Sequence, residues 1–368
     1  MRGADSVWAA MAVWGCLAAS AYTGEASAPE KGNTTMLDPD FAAMIQPIPA
    51  SAKFSDPEYY IWCGTMVRGD DGKCHLYYSR WPRKLGHNAW VTHSEIAHAV
   101  GDTPLGLFAH RDVALPTRGK EFWDGLCTHN PNVHKFGNKY YLYYMGNTGD
   151  GVASKALNFV HRNNQRVGVA IADSPEGPWQ RFDKPLIGPT PGFIDALCAT
   201  NPTVTERPGG GYLMLYKAVD NKGKPPFGGP VLHAVATSDS PTGPFTKHPK
   251  PVFVKEGVAF AAEDPFIWTS GGRYWVIVKD NAGHFTGKGK STALFQSDDG
   301  LDWRLAKHPL VATTEITWED GRKQKLNSLE RPQLYFEDGL PVALMFAVDE
   351  NNEREHSFNV RIPLAPPR

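Results

Sequence analysis

A short phrase returns through this chain at near-even intervals, and it restricts the fold more than any other feature. It reads Thr128-His129-Asn130-Pro131, Ala199-Thr200-Asn201-Pro202, Ala262-Glu263-Asp264-Pro265 and Leu329-Glu330-Arg331-Pro332, with a degenerate copy at Trp62-Cys63-Gly64. Asn130, Asn201, Asp264 and Arg331 lie 71, 63 and 67 positions apart. A unit recurring at such a period is one supersecondary element copied around a ring or along a stack. Equivalent strand ends then come together, and each copy can lend a different polar group to one pocket.

The text between the phrases identifies the unit. Lys73–Tyr78, Lys139–Tyr144, Gly211–Tyr216 and Arg273–Val278 are β-rich runs bounded by Gly-containing turns. A second signal follows each run: Asp173-Ser174-Pro175-Glu176-Gly177-Pro178-Trp179, Asp239-Ser240-Pro241-Thr242-Gly243-Pro244-Phe245, a related Asp102–Phe108, and a looser Ser297–Trp303. Asp, Ser, Pro and Gly make a turn there, and the aromatic anchors a returning strand. Four antiparallel strands per unit is the pattern of a propeller blade. The spacing predicts an all-β chain, a five-bladed β-propeller of four-stranded antiparallel blades over 54–368. The fifth unit has room for only three strands. The segment 22–53, near Met36 to Phe54, is the candidate for the fourth, and a short helix is expected within Trp90–Val100.

Composition narrows the function classes. With 368 residues and 41% hydrophobic content, the chain can bury a large core, and 38 Lys+Arg against 39 Asp+Glu leaves no basic footprint for nucleic acid. The 11 Trp, 13 Tyr and 18 Phe suit a β core, with a few Trp available to stack on a sugar. The stretch Val7–Ala21, ending in Ala19-Ser20-Ala21, reads as a signal peptide over 1–21, with 28 as the alternative end. It is too short for a stable membrane span, so export to the periplasm or medium is expected, with a weak lipoprotein alternative at Cys16. Cys63, Cys74, Cys127 and Cys198 remain. Cys127 and Cys198 sit at one repeat position and are open to either a disulfide or two buried thiols.

In a propeller the innermost strands begin near the axis, so two columns of residues converge: Cys63, Asn130, Asn201, Asp264, Arg331, and before them Trp62, His129, Thr200, Glu263, Glu330. Three carboxylates, an imidazole, a guanidinium and two amides form a hydrolase-like inventory. Glycosidic cleavage needs one protonated carboxyl and one carboxylate, and crowded carboxylates supply both states. Asp264, Glu330 and Glu263 are therefore the leading catalytic candidates. A structural Glu330–Arg331 pair and a turn-capping Asp264 are the competing readings. Asp124 and Asp195, six residues before their Asn, can activate water or simply brace a turn, and Asp56 is weaker still. His129 can donate a proton or bind a hydroxyl, and Asn130 and Asn201 can bind hydroxyls or brace the axis. Arg80, Trp81, His87, Trp90 and Trp123 are candidates for the wall, with Lys279 and Arg331 as further binding groups. His93–His98 is not the His-Glu-x-x-His motif, because its histidines are five apart. No organic cofactor and no metal are expected; a structural calcium on the axis is the alternative.

Glu263-Asp264-Pro265 with its Gly-turn-Tyr strand resembles the five-bladed glycoside hydrolases of the family 43 and family 117 type. Ser79-Arg80-Trp81-Pro82, Trp123-Asp124-Gly125, Lys279-Asp280 and Leu329-Glu330-Arg331-Pro332-Gln333 resemble a family 43-like group of exported bacterial proteins. The resemblance spans about Phe54 to Pro363. It implies an exo-acting glycosidase of oligo- or polysaccharides with an aspartate base, an orienting aspartate and a separate proton donor. Two positions depart from it: Cys63-Gly64 replaces the family's first-blade Asp-Pro, and Thr200-Asn201-Pro202 replaces its acidic Glu-Gly-Pro. The acid and base assignments of family 43 therefore do not transfer. A glycan-binding propeller without catalysis and a glycoside phosphorylase, with Arg331 and Lys279 on phosphate, are the alternative functions.

Overall fold

Five sheets of four antiparallel strands are arranged around one axis in the computed structural model, which describes residues 38–352 and 354–365. The segment read as a signal peptide, and Cys16, lie outside the described residues. Blade I comprises Tyr59–Arg68, Cys74–Pro82, Glu95–Gly101 and Phe108–Leu115, and blade II Cys127–Phe136, Lys139–Asn147, Arg166–Ala172 and Gln180–Arg181. Blade III comprises Cys198–Glu206, Tyr212–Val219, Val231–Ser238 and Thr246–Lys247, and blade IV Ala262–Ser270, Arg273–Asp280, Ser291–Ser297 and Arg304–Thr313. Blade V takes Ser328–Glu337, Leu340–Asp349 and Ser357–Pro363 from the end of the chain. Its outermost strand is Lys53–Phe54, paired antiparallel with Val360 and Asn359. The first strand of each blade packs on those of its two neighbours, blade V returning to blade I.

The apolar core is divided the same way, one cluster per interface between blades. Tyr141, Tyr143 and Val169 of blade II meet Val204, Met214 and Tyr216 of blade III. Leu213, Leu215 and Val235 meet Ile267, Val276 and Val278 at the next interface. Trp268, Trp275 and Ile277 meet Leu334, Leu344 and Phe346 at the one after. Most of the aromatic residues are used here, on flat sheet faces that β-branched and aromatic side chains fill well. The segment expected as a helix divides: only Trp90–His93 is helical, and Glu95–Gly101 is the third strand of blade I. Burial is continuous from Ile96 to Ala99, as in a strand covered on both faces, and the β-branched Ile96 and Val100 suit the sheet.

The recurring phrase corresponds to one backbone device. In every blade the pairing of the first two strands slips at the phrase, between Trp62/Thr65, His129/Asn132, Thr200/Thr203, Glu263/Phe266 and Glu330/Gln333. At each slip one residue has left-handed backbone: Cys63, Asn130, Asn201, Asp264 and Arg331 have φ between 51° and 57°. The proline that follows in four blades lacks an N–H and is tolerated where the ladder is already interrupted. A bulge also re-aims side chains. Successive residues of a regular strand point to opposite faces, whereas here both columns reach the same pocket.

Candidate active site

The inner column forms a directed string of hydrogen bonds across the axis. The Cys63 thiol donates to Asn130 Oδ1 (2.9 Å), the Asn130 amide to Asn201 Oδ1, and the Asn201 amide to Asp264 Oδ1. From the other side Arg331 donates its backbone N–H to Asp264 Oδ2 (3.1 Å) and Nη1 to Oδ1 (3.2 Å). Every donor leads towards Asp264, which is 4% exposed. Burial, with a contribution from the Asp264 charge and against Arg331, pushes the Cys63 thiol up, so it remains a protonated donor. Left-handed backbone at Cys63 and Arg331 costs roughly 1–3 kcal/mol each, while Asn and Asp tolerate it better.

Above this string lies a pocket of about 180 Å³, lined on one side by Trp62, Trp81, His87, Trp90 and His129. The opposite side carries Glu263, Glu330, Lys217, Lys279, Asp349 and Arg354. Lys217 and Lys279 occupy one position in successive blades, opposite Thr200 and Glu263 across the first strand pair. Lys217 Nζ lies 2.6 Å from Glu263, and Lys279 Nζ lies 2.6 Å from Glu330 and 3.5 Å from Glu263. Burial raises the Glu263 pKa, but the two lysines outweigh it and hold the carboxyl at about 2. For Lys279 burial favours the neutral amine, yet Glu330, Glu263 and Asp264 together keep it charged. Ser328 Oγ donates to the other Glu330 oxygen at 2.7 Å. Glu263, Asp264 and Glu330 offer oxygens within 4.8 Å of one another, the spacing of a cation site, but Lys217, Lys279 and Arg331 already lie on these carboxylates.

The pocket holds buried polar atoms with no hydrogen-bond partner among the described residues. Trp81 Nε1, both His87 ring nitrogens, and Arg331 Nε and Nη2 are buried without hydrogen bonds. Unpaired buried polar atoms are costly, so such a group at a pocket wall marks a place for a ligand hydroxyl or ordered water. His87 is boxed edge-on by Tyr60, Trp62 and Trp81. Burial and the Arg354 charge lower its pKa to about 3, leaving one N–H donor and one acceptor. His129 is packed against Trp81 and Trp90, with Nδ1 2.7 Å from Ser94 Oγ. Burial, Arg331, His87 and Lys217 hold its pKa well below the ordinary value. A neutral imidazole has no readily given proton, so this geometry favours hydroxyl binding by His129 over proton donation.

Four expected site residues stand elsewhere. Asp124 is fully buried and accepts from Tyr144 Oη (2.6 Å) and Arg118 (2.7 Å), with Arg181 at 3.5 Å. Asp195 accepts from Tyr216 Oη (2.9 Å), Lys247 (2.5 Å) and the Thr190 N–H (3.0 Å). In both blades the aspartate ties a second-strand tyrosine to a cation on the outermost strand, which is why the repeat keeps it. Neither lines the pocket, so water activation by either does not fit. Asn in place of Asp124 is expected to cost about 1.5–3 kcal/mol in equilibrium unfolding, through lost hydrogen bonds to a charged group. An unchanged midpoint would refute the brace. Arg80 pairs with Glu95 at 2.8 Å over the Tyr59 ring, and Trp123 stacks on Tyr144 and donates to Phe182 O. Both lie outside the pocket lining. Asp56 caps the Glu58 and Tyr59 N–H groups. The thiols of Cys63, Cys74, Cys127 and Cys198 are all free and buried.

No protein-family model matches the chain, and no curated protein matches by sequence. Solved structures match the fold over most of its length. BT0996, in a complex with RGII, has a TM-score of 0.65 at 16% identity, covering 89% of this protein and 94% of its own length. A family 117 glycoside hydrolase of the marine bacterium Zobellia galactanivorans gives 0.58 at 18% identity, covering 87% and 89%. The arabinanase Arb43A of Bacillus subtilis gives 0.55 at 14% identity, covering 84% and 95%.

Proposed function

We propose that this protein hydrolyses a glycosidic bond at the end of an oligo- or polysaccharide chain. The observation that carries the reading is the pocket itself: an aromatic wall with unpaired donors faces a row of clamped carboxylates. Aromatic faces suit the apolar faces of a sugar ring, and the unpaired N–H groups suit its hydroxyls. Its volume equals that of about six waters, room for one sugar ring, and the hydrogen-bonded string closes the floor. A blind pocket of that size selects a chain terminus. The likeness to glycoside hydrolases in fold, an arabinanase among them, supports the same class.

In this reading Glu263 is the anion that faces the reacting carbon, because two lysines keep it ionised. Asp264 orients Asn201 and Arg331, since both its oxygens already accept hydrogen bonds from them. Glu330 holds Lys279 against Glu263. Incubating the protein with arabino-, xylo- and galacto-oligosaccharides in phosphate-free buffer is expected to release one monosaccharide without internal fragments. Cleavage only with added phosphate would identify a phosphorylase. Binding by calorimetry with intact oligosaccharide after prolonged incubation would identify a lectin.

A further inference from the structure

The floor of the pocket provides an anion but no proton for the departing oxygen. Glu263 is ionised, both Asp264 oxygens accept hydrogen bonds from Asn201 and Arg331, both Glu330 oxygens are engaged, and His129 is neutral. In a blind pocket the sugar end lies inside and the leaving group points to the mouth. The proton must therefore come from a residue nearer the mouth than the carboxylate row.

Asp349 meets that requirement. It ends the second strand of blade V opposite Ser328, two residues before Glu330 on the first strand. At a strand rise of about 3.3 Å per residue its backbone stands about 7 Å along the sheet from that of Glu330, on the side away from Arg331 and the hydrogen-bonded floor. Trp81 holds the matching level in blade I, opposite Tyr60 and two residues before Trp62. Both line the pocket, and Asp349 is 3% exposed. Among the described residues, Asn327 Nδ2 (2.5 Å) and Arg354 Nε (3.7 Å) both lie on its Oδ2.

Resting on the hydrolase reading, we propose that Asp349 is the general acid of the reaction. Its carboxyl proton passes to the glycosidic oxygen as the bond from that oxygen to the anomeric carbon breaks. The bonding pair stays on oxygen and yields the alcohol. One water gives its hydroxyl to the anomeric carbon, and its remaining proton restores Asp349 through solvent. The surroundings agree: burial raises the Asp349 pKa against the Asn327 amide and the Arg354, Lys290 and Lys279 cations, and Glu330 stands two residues beyond its register partner on the adjoining strand. Glu263 is shifted the opposite way, and environments that separate two carboxyls in this manner assign acid and base.

The experiment compares Asp349→Asn with the full-length wild type on paired dinitrophenyl and methyl glycosides of arabinofuranose, xylose and galactose. A dinitrophenolate departs without a proton; an alcohol does not. The variant is expected to lose about 10²–10⁴-fold on methyl glycosides, lose less than tenfold on dinitrophenyl ones, and lack the alkaline limb of the kcat/KM profile. Equal losses on both, or an unchanged limb, overturn the assignment while leaving the hydrolase reading intact. No wild-type cleavage of either overturns both. Asn327→Ala gives a second route should Asp349→Asn not fold. Removing the hydrogen bond to the carboxylate should move the alkaline limb to higher pH, and a limb that stays in place counts against Asp349.

Discussion

Glu263→Gln is expected to lower kcat by about 10²–10⁴-fold, the range for losing a positioned acid–base group, with sugar binding retained. The amide keeps the shape but not the charge. Lys217 and Lys279 would then face a neutral partner, and developing positive charge on the sugar would meet two ammonium groups. Rates and isotherms measured on one preparation separate this outcome from a folding defect. A variant that turns over like the wild type would remove Glu263 from the chemistry. The acid side carries a sign that can be checked. In the folded chain the carboxyl stays ionised down to about pH 2, whereas unfolded it takes a proton near 4.5. The stabilisation it contributes is therefore complete above about pH 4.5 and is lost as pH falls towards 2. An acid limb of activity near pH 4 must then belong to another group.

Arg331→Met is expected to destabilise the fold by about 3–5 kcal/mol, because Asp264 would be left buried without its cation. Arg331 and Asp264 are 2% and 4% exposed, so solvent screens their attraction little. The same change removes the donor that meets the string of amides from blade V, and the Asn201–Asp264 bond then ends on an uncompensated charge. Chemical denaturation of the variant reads the loss directly. The double variant Arg331→Met with Asp264→Asn should recover part of it, and a cycle showing simple additivity would contradict the coupling.

The repeat made the ring, the blade count and the two converging columns legible in the sequence. Cys63, Asn130, Asn201, Asp264 and Arg331 align because each blade bulges at the same place, and backbone demands of that kind leave a fixed phrase. The same logic misdirects when carried too far. Asp124 and Asp195 recur because each clasps the outer strand of its blade, so their repetition marks a structural duty. Trp62, His129, Thr200 and the glutamates Glu263 and Glu330 share one repeat position yet vary in chemistry, and that divergence is the better sign of a site. Lys217 and Asp349 escaped notice because they come from second strands, where no phrase marks the level of the pocket. Aligning the second strands against Lys279 would have found Lys217. Asp349 has no counterpart of its own chemistry in the other blades: its level is held by Trp81 in blade I and Asn147 in blade II.

The pairing of Lys53 and Phe54 with Asn359 and Val360 sets an order on assembly. Four sheets can each form from a continuous stretch, but the last waits for partners some three hundred residues apart. Searching across that distance costs only slightly more entropy than a span half as long, since the penalty grows with the logarithm of loop length. Its effect is one of timing: during synthesis the cylinder stays open like an unclasped bracelet. Asp349 and Glu330 belong to that final sheet, so the chain can possess its aromatic wall well before it possesses a working centre.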